Sequence, residues 1–310
     1  MIESGTTLYK EMCFTNPSVE SQSGIFCLWL LFLYAIIFPS SDSEVFTLTI
    51  NGFPWWIVLI VCAGVFLASF MDAIAGGGGI ISVPTYLLAL NGAPIYFILG
   101  TNKLSSSIGT VFSTARFIKN KCVNWRLAIP SVVFALLGAM GGTWLQHHTP
   151  DTILKYMLLV VLPVVAIFTL RTRTWPDQPG DIPFAKQAAI VWGASLLIGA
   201  YDGYYGPGTG TFLMIVFIRL AKLDTRTAAG NVKIVNLSSN IGSLYTAWQA
   251  GYVLWGIGLI AACASIAGHY IGAGLAIKNG SKIVRPTVVV VLILLTIKII
   301  SELLFPGFWG

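Results

Sequence analysis

The chain has 310 residues, of which 56% are hydrophobic and 10% are charged, with a formal net charge of +6. A soluble domain carries about 25% charged residues, so this composition excludes an ordinary soluble protein and indicates an integral membrane protein. Long apolar runs recur along most of the chain, which is typical of membrane helices and unlike the short alternating strands of a membrane β-barrel. The basic residues lie mostly between these runs, a pattern that predicts membrane topology rather than nucleic-acid binding.

In chain order, residues 1–53 form a predicted N-terminal appendage with one apolar run at 24–38. Three interpretations of this run stay open: an extra membrane segment, an interfacial helix or an uncleaved targeting segment. Ten apolar segments follow. The first five cover about 54–73, 79–90, 94–118, 127–146 and 152–170. The second five cover about 185–201, 209–220, 227–248, 254–277 and 283–304. We therefore predict a first membrane repeat at 54–170, a proline-rich cytoplasmic linker at 171–184 and a second membrane repeat at 185–310.

Two stretches 130 residues apart resemble each other. Each begins with an acid at the end of a long apolar segment, Asp72 or Asp202, and continues with a glycine cluster. Each then reaches a lysine, Lys103 or Lys233, 31 residues after the acid. Pairing 72–162 with 202–292 without gaps gives 16 identities in 91 positions. The total proves little, because apolar sequences often match by chance, but the matching acids, lysines and glycines predict an internal repeat.

A second glycine pattern matches between the two stretches. Gly138 and Gly142 in the fourth segment correspond to Gly268 and Gly272 in the ninth. The Gly-x-x-x-Gly spacing lets two membrane helices approach closely. We interpret these four glycines as packing residues rather than as part of a binding site.

The basic residues also predict how the segments cross the membrane. If every segment crosses once, the clusters near 119–126, 171–186, 222–226 and 278–285 share one side. The opposite loops, near 91–94, 147–151, 203–206 and 249–252, hold no lysine or arginine. The positive-inside rule then places the basic side in the cytoplasm and the C-terminus outside. Because five crossings is an odd number, the two repeats have opposite orientations, an arrangement typical of secondary transporters.

The predicted fold class is therefore an all-α polytopic membrane protein with two inverted-topology repeats of about five segments each. The second segment of each repeat is short. About twelve residues span roughly 18 Å, against roughly 30 Å for the hydrocarbon core. Such segments start or end near the middle of the membrane, and their glycine-rich starts leave backbone N–H groups that attract anions.

The candidate substrate-binding residues are the glycines, amides, threonine and lysines of the two matching stretches. They are Gly76, Gly77, Gly78, Gly79, Thr101, Asn102, Lys103, Gly206, Gly208, Asn231, Lys233, Asn236 and Asn240. Two alternatives stay open for the lysines: contact with an anionic substrate, or crosswise pairing of Lys233 with Asp72 and of Lys103 with Asp202. The two acids are accordingly candidates for charge pairing or coupling.

Two roles are also open for the polar side chains near the lysines: lining a polar path, or bonding the neighbouring backbone. We expect Asn236, one turn from Asn240, to line a polar path through the membrane. For Ser105 and Ser107 we expect the commoner role of serine in helices, a hydrogen bond to neighbouring backbone.

Signatures of enzymes are weak. The pair His147-His148 and the isolated His269 form no recognised zinc motif, and the glycine runs follow apolar helices and lack a following Gly-Lys-Ser/Thr. The sequence predicts no catalytic residue, no metal site and no bound cofactor, so an intramembrane enzyme is disfavoured.

The combination of motifs resembles the TauE/SafE sulfite exporter family. The resemblance covers about residues 54–304. Its motifs are Asp72-Ala-Ile-Ala-Gly-Gly-Gly-Gly79, Gly100-Thr-Asn-Lys103-Leu, Tyr201-Asp-Gly-Tyr-Tyr-Gly-Pro-Gly208 and Lys233-x-x-Asn236-x-x-x-Asn240-Ile-Gly. It implies a permease in the cytoplasmic membrane whose substrates are sulfur anions such as sulfite or organosulfonates.

We therefore expect a permease that moves a small anion by alternating access. The alternatives are a channel-like or scaffold membrane protein, and a permease for a different small organic anion. The expected partners are the anionic substrate and the lipid bilayer; nucleic acid is not expected, and a homo-oligomer stays open.

Overall fold

The computed structural model of the protein describes residues 49–90, 92–150, 153, 180–279 and 282. Within these ranges it has a two-stranded hairpin, β1 (Thr49–Ile50) and β2 (Phe53–Pro54), and eight α-helices. The helices are α1 (Trp55–Ala75), α2 (Gly79–Ala89), α3 (Ile95–Lys119), α4 (Trp125–His147), α5 (Phe184–Tyr204), α6 (Thr209–Arg219), α7 (Thr225–Gln249) and α8 (Trp255–Asn279). The prediction of an all-α membrane protein is confirmed at the level of fold class.

Each helix begins and ends within a few residues of one predicted segment. The apolar run at 54–73 is α1, for example, and the run at 227–248 is α7. The predicted segments at 152–170 and 283–304, most of the linker and residues 1–48 lie outside the described residues. Helices α2 and α6 have 11 residues each, or about 16 Å, so neither is long enough to span the membrane alone.

Helix starts and ends follow local chemistry. Helices α1, α3 and α5 each begin directly after a proline, at Pro54, Pro94 and Pro183. Each proline is the N-cap residue with an extended backbone, and the helix that follows requires no hydrogen bond from its missing N–H. Helix α1 is capped at its C-terminal end by Gly76, which adopts a left-handed conformation (φ 73°) that glycine accepts without strain.

The hairpin connects the start of α1 to the start of α8. Asn51 and Gly52 form its turn with φ values of 52° and 82°, the conformation that favours Asn-Gly in two-residue turns. The side-chain Oδ1 of Asn51 accepts a hydrogen bond from the N–H of Ile257 at 3.1 Å. The turn thereby satisfies a backbone donor in the first turn of α8 that the helix itself leaves free.

Helices from different halves of the chain pack together. Helix α8 lies along α1 and α3, helix α4 lies along α5 and α7, and α3 contacts α7 between these groups. A Cβ atom on Gly142 would meet the backbone of Ala200, and one on Gly272 would meet the backbone of Phe70. Gly138 and Gly268 face α5 and α1 in the same way, so the interpretation of these four glycines as packing residues is confirmed.

The outer surfaces of the helices are apolar. Large side chains such as Leu67, Ile129, Leu137 and Leu197 are more than half exposed. In the part of the chain that the structure describes, α1, α4 and α8 are long and apolar enough to cross a membrane, with mean hydropathies of 2.5, 1.6 and 1.6. An apolar exterior around a partly polar interior is what a bilayer requires of a helical protein.

Candidate functional site

The two glycine runs meet each other in the interior. A Cβ atom on Gly210 would lie 2.5 Å from the Cα of Gly76, and one on Gly79 would lie 3.1 Å from the Cα of Pro207. The hydroxyl of Thr211 donates to the carbonyl oxygen of Gly76 at 2.9 Å. Only residues without a Cβ permit this approach, so the glycines bring the starts of the short helices α2 and α6 together.

Asp72, in the last turn of α1, forms an ion pair with Lys233 of α7. The Nζ atom of Lys233 lies 2.6 Å from Oδ2 of Asp72 and also donates to the Asp72 backbone carbonyl. The amide of Asn236 donates to the same carboxylate at 3.3 Å, and the N–H of Gly78 donates to Oδ1 at 3.2 Å. The carboxylate thus lies at the positive start of α2, where a negative charge is favourable.

Asp202, in the last turns of α5, forms a second ion pair with Lys103 of α3. Nζ of Lys103 lies 2.7 Å from Oδ2 of Asp202 and donates to Oδ1 of Asn240 at 3.1 Å. Two hydroxyls also donate to this carboxylate, Ser239 at 2.6 Å and Thr209 at 2.9 Å. Both crosswise ion pairs that the sequence left open are therefore present.

A polar cavity of about 40 Å³ lies between the two ion pairs. Asp72, Asp202 and Lys103 line it, together with the starts of α2 and α6. Since a water needs roughly 10–15 Å³ on this scale, the cavity has room for about three water-sized groups. The N–H groups of Gly79 and Gly210, at the start of α2 and α6, have no acceptor within the described parts of the chain.

The structure brings most of the predicted site residues to this cavity. Those that line it are Gly76, Gly78, Gly79, Asn102, Lys103, Gly206, Gly208, Asn236 and Asn240, with both acids. Oδ1 of Asn102 is buried and has no hydrogen-bond partner in the described structure, so it is an acceptor available to a bound molecule. Four predicted residues are not among the lining: Gly77, Thr101, Asn231 and Lys233.

The side chains of Thr101 and Asn231 bond backbone instead. Thr101 donates to the carbonyl of Phe97 at 2.6 Å and accepts from the N–H of Leu254 at 2.9 Å, a contact that links α3 to the start of α8. Asn231 donates to the carbonyl of Thr227 at 2.8 Å. Lys233 pairs with Asp72 but does not itself line the cavity, and 2% of its side chain is exposed.

The three consecutive serines of α3 have two different roles. Ser105 donates to the carbonyl of Asn102 at 3.1 Å, and Ser107 donates to that of Lys103 at 2.6 Å. The expectation of backbone bonding is confirmed for both. Ser106, between them, lines the cavity instead.

Sequence reasoning missed His269 as a cavity residue. It lies on α8, 1% exposed, and its Nε2 is 3.9 Å from Oδ2 of Asp72. A histidine inside an apolar membrane segment is itself a signal of function, because ionisable groups are costly there. Ser69 and Ser82 of the cavity carried no such signal, since serine is common in membrane helices.

Comparison with known proteins places the chain in a family. The sequence model of the sulfite exporter TauE/SafE family matches residues 27–299. The chain belongs to the TauE/SafE family. A probable membrane transporter protein of Sinorhizobium sp., ORF9, is 35% identical over 240 residues, which are 76% of this chain and 90% of that protein.

Two further relatives carry similar descriptions. A probable membrane transporter protein of Haemophilus influenzae is 31% identical over 79% of this chain and 95% of its own length. The probable membrane transporter protein YfcA of Escherichia coli is 29% identical over 76% of this chain and 87% of its own length. No solved structure matches the chain. The family and these relatives, with the apolar helices, identify a membrane transporter.

Proposed function

We propose that this TauE/SafE protein carries a small sulfur-containing anion across the cytoplasmic membrane by alternating access. The observation that carries the proposal is the polar cavity between the starts of α2 and α6, with an Asp–Lys ion pair on each side. Free N–H groups at helix starts, Lys103 and the amides of Asn102 and Asn240 are the donors that an oxyanion needs. The family name and the resemblance supply the substrate class.

The volume of the cavity favours a small substrate. Room for about three water-sized groups is comparable to the oxygens of an inorganic oxyanion such as sulfite. An organosulfonate with a carbon chain requires the cavity to enlarge. We therefore favour sulfite and anions of similar size over larger organosulfonates as the substrate.

The proposed transport cycle depends on an inverted repeat at 54–170 and 185–310, joined by a cytoplasmic linker at 171–184, with the C-terminus outside. Its support is that contacts recur after a shift of 130 residues. Helix α1 packs on α8 as α5 packs on α4, and Asp72 meets Lys233 as Asp202 meets Lys103. Two similar halves of opposite orientation can exchange conformations, which opens a central site to one side and then to the other.

Transport by purified protein in proteoliposomes tests the proposal. Sulfite uptake is expected to saturate, and sulfite loaded inside the vesicles is expected to accelerate uptake of labelled sulfite from outside. This counterflow requires a binding site that faces one side at a time, and an open channel does not show it. Unsaturable flux without counterflow favours the channel-like alternative. An absence of flux for sulfite, together with flux of a small carboxylate, favours a permease for another organic anion.

A further inference from the structure

The charged groups at the cavity cancel one another. Asp72 and Asp202 are balanced by Lys233 and Lys103, each within 2.7 Å of its partner. An anion that enters this cavity adds a negative charge with no counter-charge, and an uncompensated charge in a buried site is strongly unfavourable. The N–H groups at the starts of α2 and α6 offer that anion only partial positive charge, and one further full positive charge in the same step completes the compensation.

His269 can supply that charge. Among the described residues that line the cavity, it is the remaining titratable side chain once the two ion pairs have formed. Its Nε2 lies 3.5 Å from Oγ1 of Thr110 on α3, and its Nδ1 is buried without a hydrogen-bond partner in the described structure. A proton on Nδ1 would give an imidazolium whose positive charge faces Asp72 at 3.9 Å.

Two charged groups face His269 from neighbouring helices, and they oppose each other. The carboxylate of Asp72 on α1 attracts a proton toward the imidazole, and the ammonium of Lys233 on α7, which is paired with that carboxylate, opposes it. From α3 the neighbouring groups are uncharged, namely the hydroxyl of Thr110 and the backbone at Gly109. Burial among packed helices disfavours the charged imidazolium, and a negative charge that arrives in the cavity favours it, so the proton binds together with the anion.

A histidine accompanies the Asp72–Lys233 ion pair, and the matching position at the Asp202–Lys103 pair holds none. A shift of 130 residues maps His269 onto Ala139, so no ionisable group takes this place near Asp202. The carboxylate of Asp202 is surrounded instead by the hydroxyls of Ser239 and Thr209, which cannot change charge at ordinary pH. The two ion pairs therefore differ in chemistry. The Asp202 pair has neighbouring hydroxyls whose charge does not change, whereas the Asp72 pair has a histidine beside it that can accept a proton.

We propose that His269 is a proton-binding site that fills together with the substrate anion, so that the protein is a proton–anion symporter. The inference rests on the proposed function. A proton from water adds to the neutral imidazole at Nδ1 as the anion enters, and both leave on the other side. One proton per anion makes transport of a singly charged anion electroneutral, and a doubly charged anion moves one net negative charge.

The test uses two anions in proteoliposomes, with a lumenal pH dye. Sulfite reports the proposed function, and methanesulfonate keeps a single charge over the whole pH range. At equal pH on both sides, anion uptake by the wild type is expected to acidify the lumen. Uptake rates are expected to rise several-fold as the pH falls from about 7.5 to about 6. Protein-free vesicles correct for passive entry of protonated sulfite.

His269→Gln separates the proton role from a structural one. Glutamine keeps a polar side chain of similar length but takes up no proton, so with methanesulfonate the variant is expected to lose lumenal acidification and the pH dependence of the flux. The matched control is His148→Gln, which changes an exposed histidine outside the cavity and is expected to behave like the wild type. Size-exclusion chromatography and thermal unfolding check that both variants fold.

A second measurement does not depend on flux. Calorimetry of methanesulfonate or sulfite binding in two buffers of different ionisation heat gives the number of protons taken up with the anion. About one proton per methanesulfonate is expected for wild type, and nearly none for His269→Gln, whereas sulfite itself takes up a proton in this pH range. If methanesulfonate binds or moves without proton uptake, or if His269→Gln keeps that uptake, the symport proposal is wrong. If neither anion moves or binds, the proposed function itself fails.

Discussion

Nζ of Lys233 lies 2.6 Å from Oδ2 of Asp72, although the two residues are 161 positions apart in the chain. Lys103 and Asp202 make a similar contact at 2.7 Å. In each pair, the lysine comes from one half of the chain and the acid from the other. The two halves are thereby joined on both sides of the cavity.

The first prediction concerns stability. Lys233→Met should lower the free energy of unfolding by about 3–5 kcal/mol, because it leaves the Asp72 carboxylate without its cation in a buried place. The double variant Lys233→Met/Asp72→Asn should recover most of that loss, since no unpaired charge remains. Thermal unfolding in detergent measures both. A double variant as unstable as the single one would show that the lysine acts through packing rather than charge.

The sequence contained the information for this arrangement only in part. The periodic apolar runs predicted eight helices closely, because apolar length and proline or glycine boundaries are local features. The recurrence of acid, glycine cluster and lysine identified which residues come together. It did not decide between pairing and substrate contact for Lys103 and Lys233, because that depends on distances across the two halves. His269 was missed because its neighbours Asp72 and Lys233 come from other helices.

The second prediction concerns the contact between the glycine runs. Gly210→Ala should lower stability by about 1–3 kcal/mol and reduce transport, because the new Cβ would lie 2.5 Å from the Cα of Gly76 and backbone cannot move aside easily. Gly193→Ala is the control. It lies on α5 with open space around its Cβ position and should be neutral or stabilising by about 0.5–1 kcal/mol. Unfolding and sulfite uptake are measured for both variants, and equal behaviour of the two would contradict the close approach.

The third prediction concerns orientation. Lys119→Cys and Gln249→Cys place thiols at exposed, register-matched ends of α3 and α7. In the inverted arrangement, a membrane-impermeant maleimide added to intact cells should label the second variant and not the first, which should react only after the membrane is opened.

The native thiol near Lys119 should not interfere with this labelling. Cys122 is buried in the loop between α3 and α4, and burial raises its thiol pKa, so little reactive thiolate forms. A Cys122→Ala background removes it altogether. Labelling of both engineered positions from the same side would exclude opposite orientations of the two halves.

The last prediction separates the two lysines. Lys103 lines the cavity, whereas Lys233 lies behind Asp72. If the anion binds in the cavity, Lys103 is the lysine that can contact it. Single Lys→Met variants are unsuitable for this test, because each leaves an unpaired carboxylate that repels an anion from either position. The double variants Lys103→Met/Asp202→Asn and Lys233→Met/Asp72→Asn keep the net charge of the site at zero.

With charge held constant, Lys103→Met/Asp202→Asn should weaken sulfite binding at least about tenfold, because a charge-assisted hydrogen bond to the anion is lost. Lys233→Met/Asp72→Asn should change the affinity by no more than about threefold, since it removes one positive and one negative charge together and keeps Lys103 in the cavity. Calorimetry in detergent at a single pH measures both affinities. Equal losses in the two variants would mean that the anion is bound symmetrically by both lysines, and a loss confined to the Lys233 variant would move the site to the other side of Asp72.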